Sequence, residues 1–305
     1  MTRSDSSAPK PAMSRDALRG HLAMLLFSAL VAGSFSFGVM VAPHIAPTAM
    51  NAARFAIAAV IVGTVAMATG GIPRSALRAP WRYAVLGGIF GSYFVLMFEG
   101  LKTASPVSAA AVFTLTPLMA AGFGAVMLRQ YLTRRIALAL CIGGAGAIWV
   151  IFRGDLGALL RLEVGRGEAV YFVGCVAHAV YTPLVRLLNR GERPVVFTFG
   201  TLAAGAVLIA IYGRTAIAAT DWGNLPGIVW FTLAYIAVIA SATTFTLLQY
   251  AALRLPSAKV MAYTYLTPSW VILLEAALGH GVPPAIVVLG VVMTVTALAM
   301  LLKEE

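Results

Sequence analysis

Charge is what this sequence has least of. Its 305 residues hold 22 Lys and Arg and 11 Asp and Glu, so only 11% of the chain is charged. A soluble domain of this size coats itself with roughly twice that fraction. Cysteine is nearly missing as well. Cys141 and Cys175 both lie in apolar runs and read as small core residues, which excludes a disulfide scaffold. Polar stretches are scarce: only residues 1–17, rich in Ser and Pro, have the composition of a disordered tail. Clustered acids, clustered histidines and a Ser-His-Asp set are all lacking, which argues against an integral membrane enzyme. No metal site and no cofactor motif is expected. The runs Gly87-Gly88-Ile89-Phe90-Gly91 and Gly143-Gly144-Ala145-Gly146 resemble phosphate loops only superficially. Neither has the GxGxxG or Gly-Lys-Ser/Thr pattern, and both sit inside apolar runs, where small residues serve close helix packing.

What is present is hydrophobicity. Sixty per cent of the residues are hydrophobic and the mean hydropathy is +0.90. The apolar runs are continuous rather than alternating, so they predict membrane-spanning helices rather than a β-barrel. Ten spans are predicted, near residues 18–41, 48–70, 82–101, 106–128, 135–152, 167–186, 194–213, 226–250, 257–279 and 283–302. The first run is long and lacks a small-residue cleavage site, so it reads as a span rather than a signal peptide. The longest connection, residues 153–165, is a short linker. Counted on alternate sides, sixteen Lys and Arg fall on the side of the N-terminus. Five (Lys102, Arg153, Arg161, Arg166, Arg214) fall on the other, and Arg54 is left inside a span. This bias predicts cytoplasmic termini, with residues 303–305 a cytoplasmic tail and 153–165 periplasmic. The net charge of +11 then reflects topology and not nucleic-acid binding.

The chain also repeats itself. Phe113-Thr114-Leu115-Thr116-Pro117-Leu118 matches Thr264-Tyr265-Leu266-Thr267-Pro268-Ser269, and Gly100-Leu101-Lys102 resembles Ala252-Leu253-Arg254 upstream. Each copy covers five spans, 18–152 and 166–302. Five is odd, so the second copy enters the membrane from the opposite side: an inverted repeat, common in secondary transporters.

Together with Pro47 followed by Arg54 in the second span, these features resemble the drug/metabolite transporter superfamily in its ten-helix, EamA-type form. The resemblance covers roughly residues 20–302. It implies an all-α integral membrane protein of two inverted five-helix repeats, with spans 1, 3, 4, 6, 8 and 9 around a central cavity. It also implies a secondary transporter in a bacterial inner membrane, exporting small metabolites such as amino acids, with no enzymatic activity. An importer or exchanger of another small or drug-like solute is the alternative. Many relatives carry Leu-Gly-Glu after the fourth and ninth spans; Arg129 and His280 stand there here.

Ionisable groups inside a bilayer are costly and mark function by default. Arg54, Glu99 and Glu275 are expected near one level, toward the outer ends of their spans, as a gate or a structural ion pair. Tyr171, Gly174, His178 and Tyr181 are spaced to share one face of the sixth span, suited to line a cavity. His178 is also the candidate for a coupling proton. On the ninth span Tyr263, Thr267 and Trp270 form a similar stripe, and their repeat mates are Val112, Thr116 and Met119. Thr116 joins the candidates, as do Tyr93 and Thr244, mates in the third and eighth spans. Pro117 and Pro268 lack an N–H, so each frees the carbonyl four residues earlier, at Phe113 and Thr264. These are candidate hinges. The implied partners are a small-molecule substrate, the lipid bilayer and protons.

Overall fold

The computed structural model describes residues 15–130, 133–161 and 163–302. Residues 1–14, most of the expected disordered tail, and residues 303–305 lie outside that set. Ten helical stretches cross the bundle: α1 (Arg15–Val41), α2 (Pro47–Ala68), α3 (Trp81–Gly100), α4 (Pro106–Leu128), α5 (Arg134–Ile151), α6 (Arg166–Leu188), α7 (Pro194–Tyr212), α8 (Gly227–Ala252), α9 (Ser257–Ala277) and α10 (Ala285–Leu302). Among the described residues, nine are long and apolar enough to span a bilayer by length and composition, although α4 pauses at Thr114 and Leu115. The tenth, α9, passes through a 3₁₀ turn at Tyr263–Leu266 between two α-helical pieces, Ser257–Ala262 and Thr267–Ala277. The ten-span reading therefore stands, with the fourth and ninth spans interrupted at corresponding points.

Local chemistry sets the helix ends. Pro47, Pro106 and Pro194 each stand in the first turn of their helices, where a missing N–H costs nothing. Ser105 and Thr133 cap α4 and α5 by accepting from the N–H groups of Ser108 and Ile136. The linker folds a single turn, Leu156–Leu160, capped by Asp155. At the end of α2, Gly70 and Gly71 take positive φ, which only glycine adopts without strain. The freed carbonyls there are taken up by Arg193, which donates to Thr69 O at 2.6 Å and Gly71 O at 2.8 Å.

Polarity is inverted relative to a soluble protein. Large apolar side chains lie on the outside, with Val60, Val126 and Ile211 well over half exposed. Among the described residues, Arg54, Asn51, Gln249 and sixteen Ser and Thr are buried within. Only a hydrocarbon surround makes that arrangement favourable. The helix neighbours obey the repeat: α3 packs on α6 as α8 packs on α1, α3 on α7 as α8 on α2, and α5 meets α10. This pseudo-two-fold pattern is the inverted repeat expected from the sequence. The two glycine runs serve packing. A Cβ on Gly87 would lie 2.5 Å from Gly205 N and 2.6 Å from Thr201 O, and one on Gly146 would lie 2.6 Å from Gly290 O.

Candidate functional site

The interior of the bundle, where α1, α3, α4, α6 and α8 converge, is filled with aromatic rings. Phe90 of α3 stacks on Tyr181 of α6 at 4.1 Å between centroids. His178 is ringed by Tyr93 at 4.5 Å, Phe90 at 5.0 Å and Phe113 at 5.2 Å. Phe35 of α1 adjoins Phe113 and Tyr171. Phe94 and Phe245, repeat mates on α3 and α8, stack across the pseudo-two-fold at 5.7 Å. Edge-on and offset rings are the favoured geometries for such clusters.

Four candidates from the sequence meet here. Tyr93 and Tyr171 share a hydrogen bond between hydroxyls at 3.0 Å. Tyr181 accepts from Gln249 Nε2 at 2.9 Å. His178 is buried, and its Nδ1 has no protein partner. The expected face of α6, including Gly174, is buried as a unit. The centre is closed in this conformation: aromatic rings occupy the space where the family resemblance implied a cavity.

A second group lies along α1, α4 and α9. Thr116 and Thr264 approach hydroxyl to hydroxyl at 3.3 Å, joining the two proline breaks. The Phe113 carbonyl freed by Pro117 accepts the Thr116 hydroxyl at 2.6 Å, which answers the need for a partner within the protein. The Thr264 carbonyl receives the Thr267 N–H within the 3₁₀ turn. Both spans break at these points: α4 pauses at Thr114 and Leu115, and α9 tightens at Tyr263–Leu266. Tyr263 bonds His21 of α1 at 3.0 Å, and Trp270 donates to Ser28 of α1 at 3.2 Å. Thr267 and Thr244 are fully buried on α9 and α8.

The expected trio of charges does not assemble. Arg54 is wholly buried, and its guanidinium lies 3.6 Å over the Phe94 ring. It donates from Nε to Ser241 Oγ at 2.6 Å and from Nη2 to Ala240 O at 2.8 Å. Both acceptors belong to a π-helical stretch of α8, Tyr235–Thr243, whose wide turns leave carbonyls available. Glu99 and Glu275 sit in the last turns of α3 and α9, where short-range partners claim them. Glu99 binds Lys102 at 2.7 Å and Glu275 binds His280 at 3.0 Å. Neither touches Arg54 here. Glu168, at the start of α6, accepts from Ser108 at 2.8 Å.

Two buried amides went unnoticed in the sequence because they carry no charge. Asn51, one turn before Arg54, donates to Pro47 O and Phe94 O. Gln249 holds Tyr181. An amide inside an apolar run was the available signal. Arg82 counted only as a loop charge, yet it is buried and tied to Leu188 O and Glu192 Oε1, each at 2.6 Å. Burial alone would raise the Glu192 carboxyl. The hydrogen bonds from Arg82 and the Arg190 N–H outweigh it and hold the group below its ordinary value. Arg129 ends α4 in the left-handed region at φ 52°. Among the described residues, no three His, Cys, Asp or Glu side chains gather as a metal-binding group.

A buried polar-aromatic centre between inverted halves is the architecture of a carrier, and the family match agrees. The model of the EamA-like transporter family matches residues 18–152 and again 165–303. The chain belongs to that family. It is 27% identical over 262 residues to the uncharacterized transporter YyaM of Bacillus subtilis (strain 168), covering 85% of this chain and 86% of that one. A solved structure described only as "Crystal structure of protein" has a TM-score of 0.71 at 23% identity, over 95% of this chain and 97% of the other. At that identity the likeness concerns the fold. The protein is thus a multi-pass membrane transporter of small solutes.

Proposed function

We propose that this EamA-family protein exports amino acids across the bacterial inner membrane by alternating access, with both termini in the cytoplasm. The observation that carries the reading is the closed centre. Phenol, imidazole, hydroxyl and amide groups from both halves (Tyr93, Tyr171, His178, Tyr181, Gln249) are packed among phenylalanine rings. Such a lining suits a solute that is polar at one end and apolar at the other. Rocking of the halves opens it to one side at a time, with the breaks before Pro117 and Pro268 as the hinge. Orientation rests on the excess of Lys and Arg at the ends of the spans that face the N-terminal side. Export, in preference to import or exchange, rests on the habit of the family this chain resembles. If flux is proton-coupled, His178 is the group at mid-depth to carry the proton.

The test is transport of radiolabelled amino acids into liposomes holding the purified protein, with and without a pH gradient. Saturable counterflow of at least one amino acid supports the proposal. Stimulation by the gradient that vanishes in His178→Gln assigns the proton. Failure of every amino acid, beside uptake of a different solute class, removes the substrate assignment.

A further inference from the structure

Helix α2 carries two buried polar atoms whose needs are opposite. The first is Asn51 Oδ1. The amide nitrogen of Asn51 donates to two carbonyl oxygens, Pro47 O at 2.8 Å and Phe94 O at 3.3 Å. Two acceptors fix which end of the amide is nitrogen. The oxygen therefore points elsewhere, and it has no donor. The second is Arg54 Nη1. The other guanidinium nitrogens are held by Ser241 and Ala240, but Nη1 has no acceptor. Both residues are fully buried.

The two are three residues apart on one helix, so they share a face about 4.5 Å apart along the axis at ~1.5 Å per residue. Phe94 joins them: its carbonyl receives Asn51 and its ring underlies Arg54. An orphaned acceptor and an orphaned cationic donor on one helix face are an unusual pair to bury. Each costs free energy while it lacks a partner. No protein carboxylate supplies one among the described residues. Glu99 is bound to Lys102, Glu168 to Ser108, Glu192 to Arg82 and Glu275 to His280. The Phe94 ring under Arg54 adjoins the Tyr93 ring, centroids 4.5 Å apart, at the edge of the aromatic centre.

We propose that Asn51 Oδ1 and Arg54 Nη1 form the docking point for the ammonium and carboxylate of a zwitterionic α-amino acid. This rests on the transport reading above and deepens it: it says which part of the substrate is read and by which atoms. A simple anion would satisfy Arg54 and leave Asn51 orphaned, and a simple amine would do the reverse. An α-amino acid satisfies both with charge-assisted bonds, whereas an α-hydroxy acid or an amino carboxamide fills one of the two places only with a weaker neutral bond. The side chain of the amino acid then extends toward Tyr93 and the rings beyond. In the closed conformation those rings fill the space, so docking accompanies their separation.

The native protein tests this without any substitution. In counterflow of whichever labelled amino acid moves fastest, four unlabelled competitors are compared. They are that amino acid, its carboxamide, its decarboxylated amine and its α-hydroxy acid. The proposal expects each of the last three to compete about tenfold or more weakly, since each leaves a charged hydrogen bond unmade. Asn51→Leu should abolish the preference for amino acid over hydroxy acid while keeping that over carboxamide. Arg54→Gln should do the reverse. If amine, hydroxy acid and amino acid compete equally in the native protein, the pair binds no zwitterion and the proposal falls, while the transport reading stands. If no amino acid undergoes counterflow at all, the transport reading falls first.

Discussion

Two interfaces related by the pseudo-two-fold are built in opposite ways. On one side α7 meets α3 through bare backbone, Gly205 and Thr201 against Gly87. On the other α2 meets α8 through Arg54, which reaches across to a π-helical stretch. Counting from the prolines that open α2 and α7, Arg54 corresponds to Thr201 and Ala58 to Gly205. One half thus uses close packing, which holds helices together in lipid. The other spends a buried charge and a distorted helix, and neither is good for stability. An inequality of the opposite sense appears on the glycine side, where the ion pair of Arg82 and Glu192 clamps α3 to the loop before α7. Their repeat counterparts, Leu233 and Ile45, are apolar. The glycine side is the structural one, and the arginine side is the one shaped for a ligand.

That contrast can be broken most severely at Gly87. In Gly87→Leu the new side chain meets the α7 backbone, which cannot yield. The expected result is loss of folded, monodisperse protein in size-exclusion chromatography, because overpacking of this kind costs about 3 kcal/mol or more. Arg54→Gln should behave differently. It removes two hydrogen bonds and the ring contact, but also the cost of burying the charge, roughly 3 kcal/mol at a bilayer centre. The protein should stay folded by the same chromatography while counterflow of amino acids drops at least tenfold.

Acid should weaken the glycine side through Glu192. Its carboxyl is held below the ordinary 4.5 in the folded protein. A depressed carboxylate contributes stability that is present above the unfolded value and lost as pH falls through the folded one. The thermal midpoint of the native protein should therefore decline below about pH 4.5, the reference value. Glu192→Gln should start lower and lack that component of the decline. The smallest effect is expected at Lys102→Ala, which breaks an exposed pair with Glu99. Its thermal midpoint should shift by no more than about 0.5 kcal/mol of stability allows.

Much of this was legible from sequence because membrane folding depends on long, coarse signals. Ten apolar runs and a repeated Leu-Thr-Pro determine the spans and the inversion, and proline chemistry places the breaks just before Pro117 and Pro268, at Thr114–Leu115 and Tyr263–Leu266. The shared face of Tyr171, His178 and Tyr181 follows from helical spacing alone. What was not legible depends on three-dimensional reach. The π-helical stretch leaves no mark in the hydropathy of Tyr235–Thr243, so Ala240 and Ser241 were invisible as partners of Arg54. Glu99 and Glu275 looked like its mates because depth was judged by counting residues. Their local partners, Lys102 and His280, are only three and five positions away. Asn51 and Gln249 carry no charge, so nothing in their composition sets them apart from the apolar runs that hold them. The aromatic closure of the centre depends on which conformation the chain adopts, and composition says nothing of that.

The central claim is that two inverted halves close over this centre and open to alternate sides. It is tested most directly by electron-electron spin distances on both faces of the liposome-bound protein. One label pair, at Lys102 and Asn224, reports the face that holds both residues around a common depression. The other, at the exposed Arg78 and Arg254, reports the opposite face. The account expects each pair to show a short and a long population, with substrate shifting the two pairs in opposite directions. A single distance at each face, unmoved by substrate and by pH, would contradict it.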